Sequence, residues 1–109
     1  MATGTPTIST HVLDVGSGRP AVGVQVHLAR LVGPVPVPIG QGATNDDGRI
    51  PDLLGGKALE AGEYRLTFQI DEGGFFRAVT IDVRVTDASR SYHVPLIRAP
   101  YALSAYLGS

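Results

Sequence analysis

Cysteine and tryptophan are both absent from this chain of 109 residues. Without cysteine there is no disulfide framework, no thiolate nucleophile and no cysteine-bearing zinc site. That composition fits a reducing compartment, and a cytoplasmic location is expected. Net charge is nearly absent too: nine Lys and Arg against ten Asp and Glu leave −1. There is no electrostatic case for nucleic acid or an anionic membrane as a partner, and no basic cluster interleaved with aromatics. The opening Met1-Ala2-Thr3-Gly4-Thr5-Pro6 has neither a basic n-region nor an apolar h-region, so no signal peptide is read. No apolar run approaches the length of a membrane span.

Turn formers, by contrast, are abundant. Fourteen Gly and eight Pro cut the chain into short pieces, and between them lie β-branched runs with period-two alternation. That pattern predicts an all-β sandwich or barrel. The length suits a single domain over residues 1–109, with one real core that is marginal for a monomer. Thr7 to Asp14 reads as a first strand, with Ile8, Thr10 and Val12 on one face and Ser9, His11 and Leu13 on the other. Val22 to Ala29 reads as a second, with Val22, Val24, Val26 and Leu28 facing one way and Gln25 and His27 the other. Gly33-Pro34-Val35-Pro36-Val37-Pro38 is a loop or an edge, because proline lacks a ladder donor. A strand resumes over Gly40 to Thr44, and Asn45-Asp46-Asp47-Gly48-Arg49 is a turn. Leu53 to Ala61 is ambiguous between strand and loop. Glu63 to Ile70 and Ala78 to Val85 alternate cleanly, joined by Asp71-Glu72-Gly73-Gly74. Ser91 to Ile97 and Tyr101 to Tyr106 complete about eight strands, a size typical of a sandwich.

Few residues are equipped for chemistry. His11 and His93 each lie mid-strand, and each singly reads as a surface or hydrogen-bonded core histidine. Pro95, on the same face as His93, implies a strand with one free side. Arg49 follows a tight turn; a fixed guanidinium is a donor fork for carbonyls or an oxyanion. Ser109 carries a hydroxyl and the α-carboxylate. Taken singly it reads as a frayed end, but a chain that stops straight after its last strand points to a terminus in use. His27 has no motif around it and reads as structural. Asp46-Asp47-Gly48 lacks the remaining ligands of a calcium loop, and no His-x-His or helical His pair supports zinc. There is no Gly-x-Ser-x-Gly elbow and no phosphate loop.

Taken in order, several blocks resemble the transthyretin-like family, and within it the 5-hydroxyisourate hydrolases. They are Ser9-Thr10-His11-Val12-Leu13-Asp14, Gly18-Arg19-Pro20-Ala21, Thr44-Asn45-Asp46-Asp47-Gly48-Arg49, Gly62-Glu63-Tyr64-Arg65-Leu66, Phe75-Phe76, Tyr92-His93-Val94-Pro95-Leu96 and the terminal Tyr106-Leu107-Gly108-Ser109. The resemblance implies a sandwich of two four-stranded sheets, dimerised edge to edge, with two dimers stacked into a homotetramer and active sites in the channel between them. It implies hydrolysis of a ring amide of 5-hydroxyisourate, a small-molecule substrate from urate oxidation, without metal or organic cofactor. By position His11, Arg49, His93 and Ser109 are the implied catalytic set, and Tyr106, Leu107 and Gly108 are implied to line the substrate pocket. One histidine would deprotonate the attacking water, Arg49 would stabilise the carbonyl oxygen, and the second histidine would hold the water or protonate the leaving nitrogen.

This sequence departs from the family twice. Leu107 stands where the terminal signature Tyr-Arg-Gly-Ser has Arg, and Leu offers no donor. Arg98, the nearest spare guanidinium, points away from His93 by strand alternation. The Ile70 to Phe75 stretch is too short for the helix and longer connection usual there, so that helix is expected to be shortened or absent. A hydrolase is the first reading. The alternatives are a non-catalytic small-molecule binder built on the same tetramer channel, or a hydrolase of another cyclic amide or lactone.

Overall fold

A computed structural model of the chain describes residues 5–109; Met1 to Gly4, part of the stretch read for a signal peptide, lies outside them. Nine strands and no helix form among the described residues: β1 Ile8–Asp14, β2 Arg19–Pro20, β3 Gln25–Arg30, β4 Val37–Ala43, β5 Arg49–Ile50, β6 Gly62–Gln69, β7 Ala78–Val85, β8 Tyr92–Ala99 and β9 Ala102–Ala105. Among the described residues no helix is long and apolar enough to cross a membrane. The strands make two sheets. One runs β4-β3-β6-β7; the other runs β2-β1-β8-β9, with β5 also pairing β1. The second sheet therefore has five strands rather than four, because two dipeptide strands share one edge of β1.

Alternation sets the core. Ile8, Thr10 and Val12 of β1, Val26 and Leu28 of β3, Tyr64, Leu66 and Phe68 of β6, and Tyr92, Val94 and Leu96 of β8 are buried between the sheets. Buried Thr10 is satisfied by donating from Oγ1 to the Val94 carbonyl at 2.6 Å, since an unpaired hydroxyl there would be costly. The outer face of β3-β6-β7 is polar and tied by cross-strand pairs, Arg65 to Asp82 and Arg84 to Glu63.

Two sequence readings change. Val22 is not part of the second strand: it is exposed, in a turn whose Gly23 has φ of 79°, and β3 begins at Gln25. A β-branched residue cannot tell turn from strand when the deciding conformation belongs to its glycine neighbour. Leu53 to Ala61 is a loop without period that nevertheless plugs the sandwich end with Leu53, Leu54 and Leu59. Pro38 does sit on an edge, in β4 beside a bulge where Ala29 pairs it. Residues 70–77 join β6 to β7 without a helix.

Candidate active site on the outer face of the β1-β8 sheet

The face of β1 turned away from the core carries Ser9, His11 and Leu13, all half-buried. Two pairings bring chemistry to it from distant segments. β8 lies parallel to β1 with Ser9 opposite His93 and His11 opposite Pro95. β5 lies antiparallel on the other side with His11 opposite Arg49. Residues opposite one another share a face. His11, Arg49 and His93 are thus gathered from positions far apart in sequence onto one surface.

The turn before β5 aims Arg49. Asn45 Oδ1 accepts from the backbone N–H of Asp47 and of Arg49, and Gly48 N donates to the Asn45 carbonyl at 2.8 Å. Gly48 has φ of 74°, and its carbonyl accepts from Val12 N at 2.8 Å. A Cβ at Gly48 would fall 2.6 Å from the Val12 carbonyl oxygen, so both the conformation and the space demand glycine. Buried Thr44 anchors the start of the turn: its Oγ1 donates to the Ala21 carbonyl and accepts from Val24 N.

The end of the chain completes the surface. β9 runs antiparallel to β8 with Leu96 opposite Ala105, and the same register resumes at a bridge between His93 and Gly108, where Gly108 N donates to the His93 carbonyl at 2.8 Å. The lane breaks between them where Pro95, with no N–H, falls opposite Tyr106. Together these segments enclose a pocket of about 420 Å³ lined by Ser9, Arg49, Arg90, His93, Gly108 and Ser109 among others. His11 stands at its side, next to Arg49 in the pairing and close enough for its charge to be felt by His93. Tyr106 and Leu107 line a separate hollow of about 250 Å³ with Ile81, Val83, Tyr92 and Val94. In register, Leu107 falls opposite the core-facing Val94, on the side of the strand away from His93. Arg98 is also away from the pocket, donating to the Ile70 carbonyl at 2.7 Å. His27 is exposed on the outer face of the other sheet.

Two residues that sequence reading passed over belong here. The Ser9 hydroxyl is 2.9 Å from Nδ1 of His93, which fixes the ring and leaves Nε2 for the pocket. Alternation had put Ser9 on the His11 face, but only the parallel β1–β8 pairing reveals its partner. Arg90 lies on the loop between β7 and β8, where no period marks it; its closeness to His93 in sequence was the only signal.

Burial, then the positive charge of Arg49 and then that of His11, hold the His93 imidazole below the usual histidine value. A lowered value means His93 stays neutral through pH 7 and protonates only in more acid solution. An NMR titration of His93 is expected to show a midpoint below about 6.5. The linkage sign follows: the unfolded chain takes up this proton first, so the stability tied to His93 is complete above about pH 6.5 and is lost as pH falls below it. A midpoint at or above the ordinary value would remove the neutral base from the site.

The residues 8–108 match the profile of the HIUase/Transthyretin family. A 5-hydroxyisourate hydrolase of Deinococcus radiodurans is 40% identical over 117 residues, covering 97% of this chain and 98% of that protein. Among solved structures, Klebsiella pneumoniae 5-hydroxyisourate hydrolase superposes with a TM-score of 0.80 at 34% identity, covering 94% of this chain and 99% of that one. An (S)-allantoin synthase superposes with a TM-score of 0.81 at 33% identity, covering 95% of this chain but 44% of the longer one.

Proposed function

The chain belongs to the HIUase/Transthyretin family, and on that premise we propose that it is a 5-hydroxyisourate hydrolase that opens the ring amide with His93, Arg49, His11 and Ser109. The observation that carries the reading is the convergence of His93 and Arg49 in one pocket, with His93 held neutral and its ring fixed by Ser9.

The chemistry follows from the groups. With Nδ1–H donating to Ser9 Oγ, Nε2 of His93 carries the lone pair that takes a proton from water. The water oxygen bonds to the ring amide carbon, and the carbonyl oxygen takes up negative charge. Arg49 faces that oxygen with a planar fork that stays charged. The C–N bond then breaks, the carbonyl becomes a carboxyl group, and the nitrogen departs with a proton returned by imidazolium. His11, beside Arg49, holds the water or supplies that proton. Ser109 offers its hydroxyl to the substrate, and Gly108 forms the floor under it. Side chains and water handle every proton and charge in this sequence of steps.

The assembly we propose is a dimer of dimers in the cytoplasm, a setting that the absence of cysteine suits. β7 and β9 are sheet edges without a partner strand among the described residues, and Tyr106 and Leu107 beside them are exposed. Edges of this kind need cover, and pairing them between copies would extend both sheets.

The test generates 5-hydroxyisourate in situ with urate oxidase and follows its ultraviolet decay. The protein is expected to accelerate decay, and light scattering at micromolar concentration to give a tetramer. Decay at the spontaneous rate, from protein that is folded, would overturn the activity; a monomer would overturn the channel site.

A further inference from the structure

Alternation puts Pro95 on the outer face of β8 with His93 and Ile97, yet the three differ. His93 and Ile97 are half-buried, as are Ser9, His11 and Leu13 on the same face of β1; Pro95 is buried. An apolar ring sunk among polar groups on an outer face has neighbours that cover it. His11 lies opposite it across the parallel pairing, His93 stands two residues back, and Gly108 lies on the β9 side. A Cβ at Gly108 would meet His93 Cδ2 at 2.8 Å, Pro95 Cγ at 3.1 Å and Pro95 Cδ at 3.3 Å. The edge of the imidazole and the flank of the pyrrolidine ring thus converge on one point, and the α-carbon of Gly108 closes over it.

The same residue interrupts the ladder. The His93 carbonyl accepts from Gly108 N, so the backbone groups of every second residue, His93, Pro95 and Ile97, point to the β9 side. Position 95 would donate there to Tyr106, and proline has no N–H to give. β9 ends at Ala105, and pairing resumes only where Gly108 meets His93. Pro95 therefore frees the chain to leave the strand after Ala105, and its stiff ring is part of the surface on which the chain lands. Resting on the hydrolase reading above, we infer that Pro95 is a positioning residue, a rigid wedge that holds the His93 imidazole against Ser9 and seats Gly108 and Ser109 at the pocket. Pro95 does not itself line the pocket, so it acts only through these neighbours. Substrate still meets the same groups without it, but the base is misaimed, which predicts an effect on kcat rather than KM.

Steady-state kinetics on 5-hydroxyisourate test this. Pro95→Ala removes the wedge and restores the N–H. It is expected to lower kcat about 10- to 10²-fold, the scale of a misplaced catalytic group, with KM within about threefold. A double-variant cycle with Gly108→Ala reads the shared contact. Where both residues act on one contact, the second loss adds little to the first. Losses that multiply, or a Pro95→Ala kcat within about twofold of the wild type, overturn the inference. Pro95→Val, which refills part of the volume, is expected to lose less and to keep its fold where the alanine variant does not; the same limits apply to it. Nitrogen NMR of the His93 imidazole in mildly alkaline solution needs no turnover. The wild type is expected to hold one tautomer, protonated at Nδ1 toward Ser9, and Pro95→Ala a mixture. If the wild-type protein fails to hydrolyse 5-hydroxyisourate, the hydrolase reading falls, and these spectra decide the Pro95 question alone. A mixture in the variant supports the wedge; tautomer populations unchanged from the wild type overturn it.

Discussion

His93→Ala is expected to lower kcat on 5-hydroxyisourate by about 10²- to 10⁴-fold, the usual range for losing a general base, with KM changed far less. The size of the loss follows from how completely the site depends on this ring. It is the imidazole fixed by Ser9 at 2.9 Å, and burial first, then the neighbouring Arg49 and His11, lower its hold on a proton so that it is neutral where a base is needed. The fold is expected to survive. His93 is half-buried on the outer face, the sheet pairing there uses backbone groups, and the core on the other face is untouched. Circular dichroism and the thermal midpoint check this in the same preparation. A non-catalytic binder would behave differently, keeping most of its ligand affinity without the imidazole. Activity within about tenfold of the wild type would remove His93 from the chemistry.

Strand faces were legible in the sequence because alternation is a local property. Ile8, Thr10 and Val12 do face the core, and Ser9, His11 and Leu13 do share the other face. The Asn45 to Arg49 turn was legible because Asn and Gly carry specific backbone demands. What stayed hidden depends on contacts between distant segments. The pairing of Ser9 with His93 exists only because β1 and β8 run parallel, and no local pattern encodes that. Arg90 borders the pocket from the connection between β7 and β8, and loops have no period to read. Leu107 could be recognised as a departure, but which hollow it lines is set by the bridge between Gly108 and His93. The buried leucines of residues 53–59 follow the same logic: they plug an end of the sandwich that only the assembled sheets create.

Gly108→Ala is expected to lower kcat/KM by about 10²-fold, the scale on which misplacing a catalytic group by an ångström is felt. The smallest possible side chain suffices because there is no room for it. A Cβ at position 108 would lie 2.8 Å from Cδ2 of His93, 3.1 Å from Cγ of Pro95 and 3.3 Å from its Cδ. Pro95 is a rigid ring in a paired strand and cannot give way. The conflict has two outlets: the imidazole swings off its Ser9 partner, or the terminal segment lifts and Gly108 N leaves the His93 carbonyl. Either one disturbs the pocket, the first by moving the base and the second by withdrawing Ser109. A shift of the His93 resonances with the rest of the spectrum unchanged would identify the first. Gly33→Ala makes a fair control, since an added Cβ there meets nothing within 4 Å and the site is elsewhere; its activity is expected to match the wild type. If Gly108→Ala were as active as the control, close packing of the terminus on His93 would not matter to catalysis, and the Gly-Ser end of this chain would need another explanation.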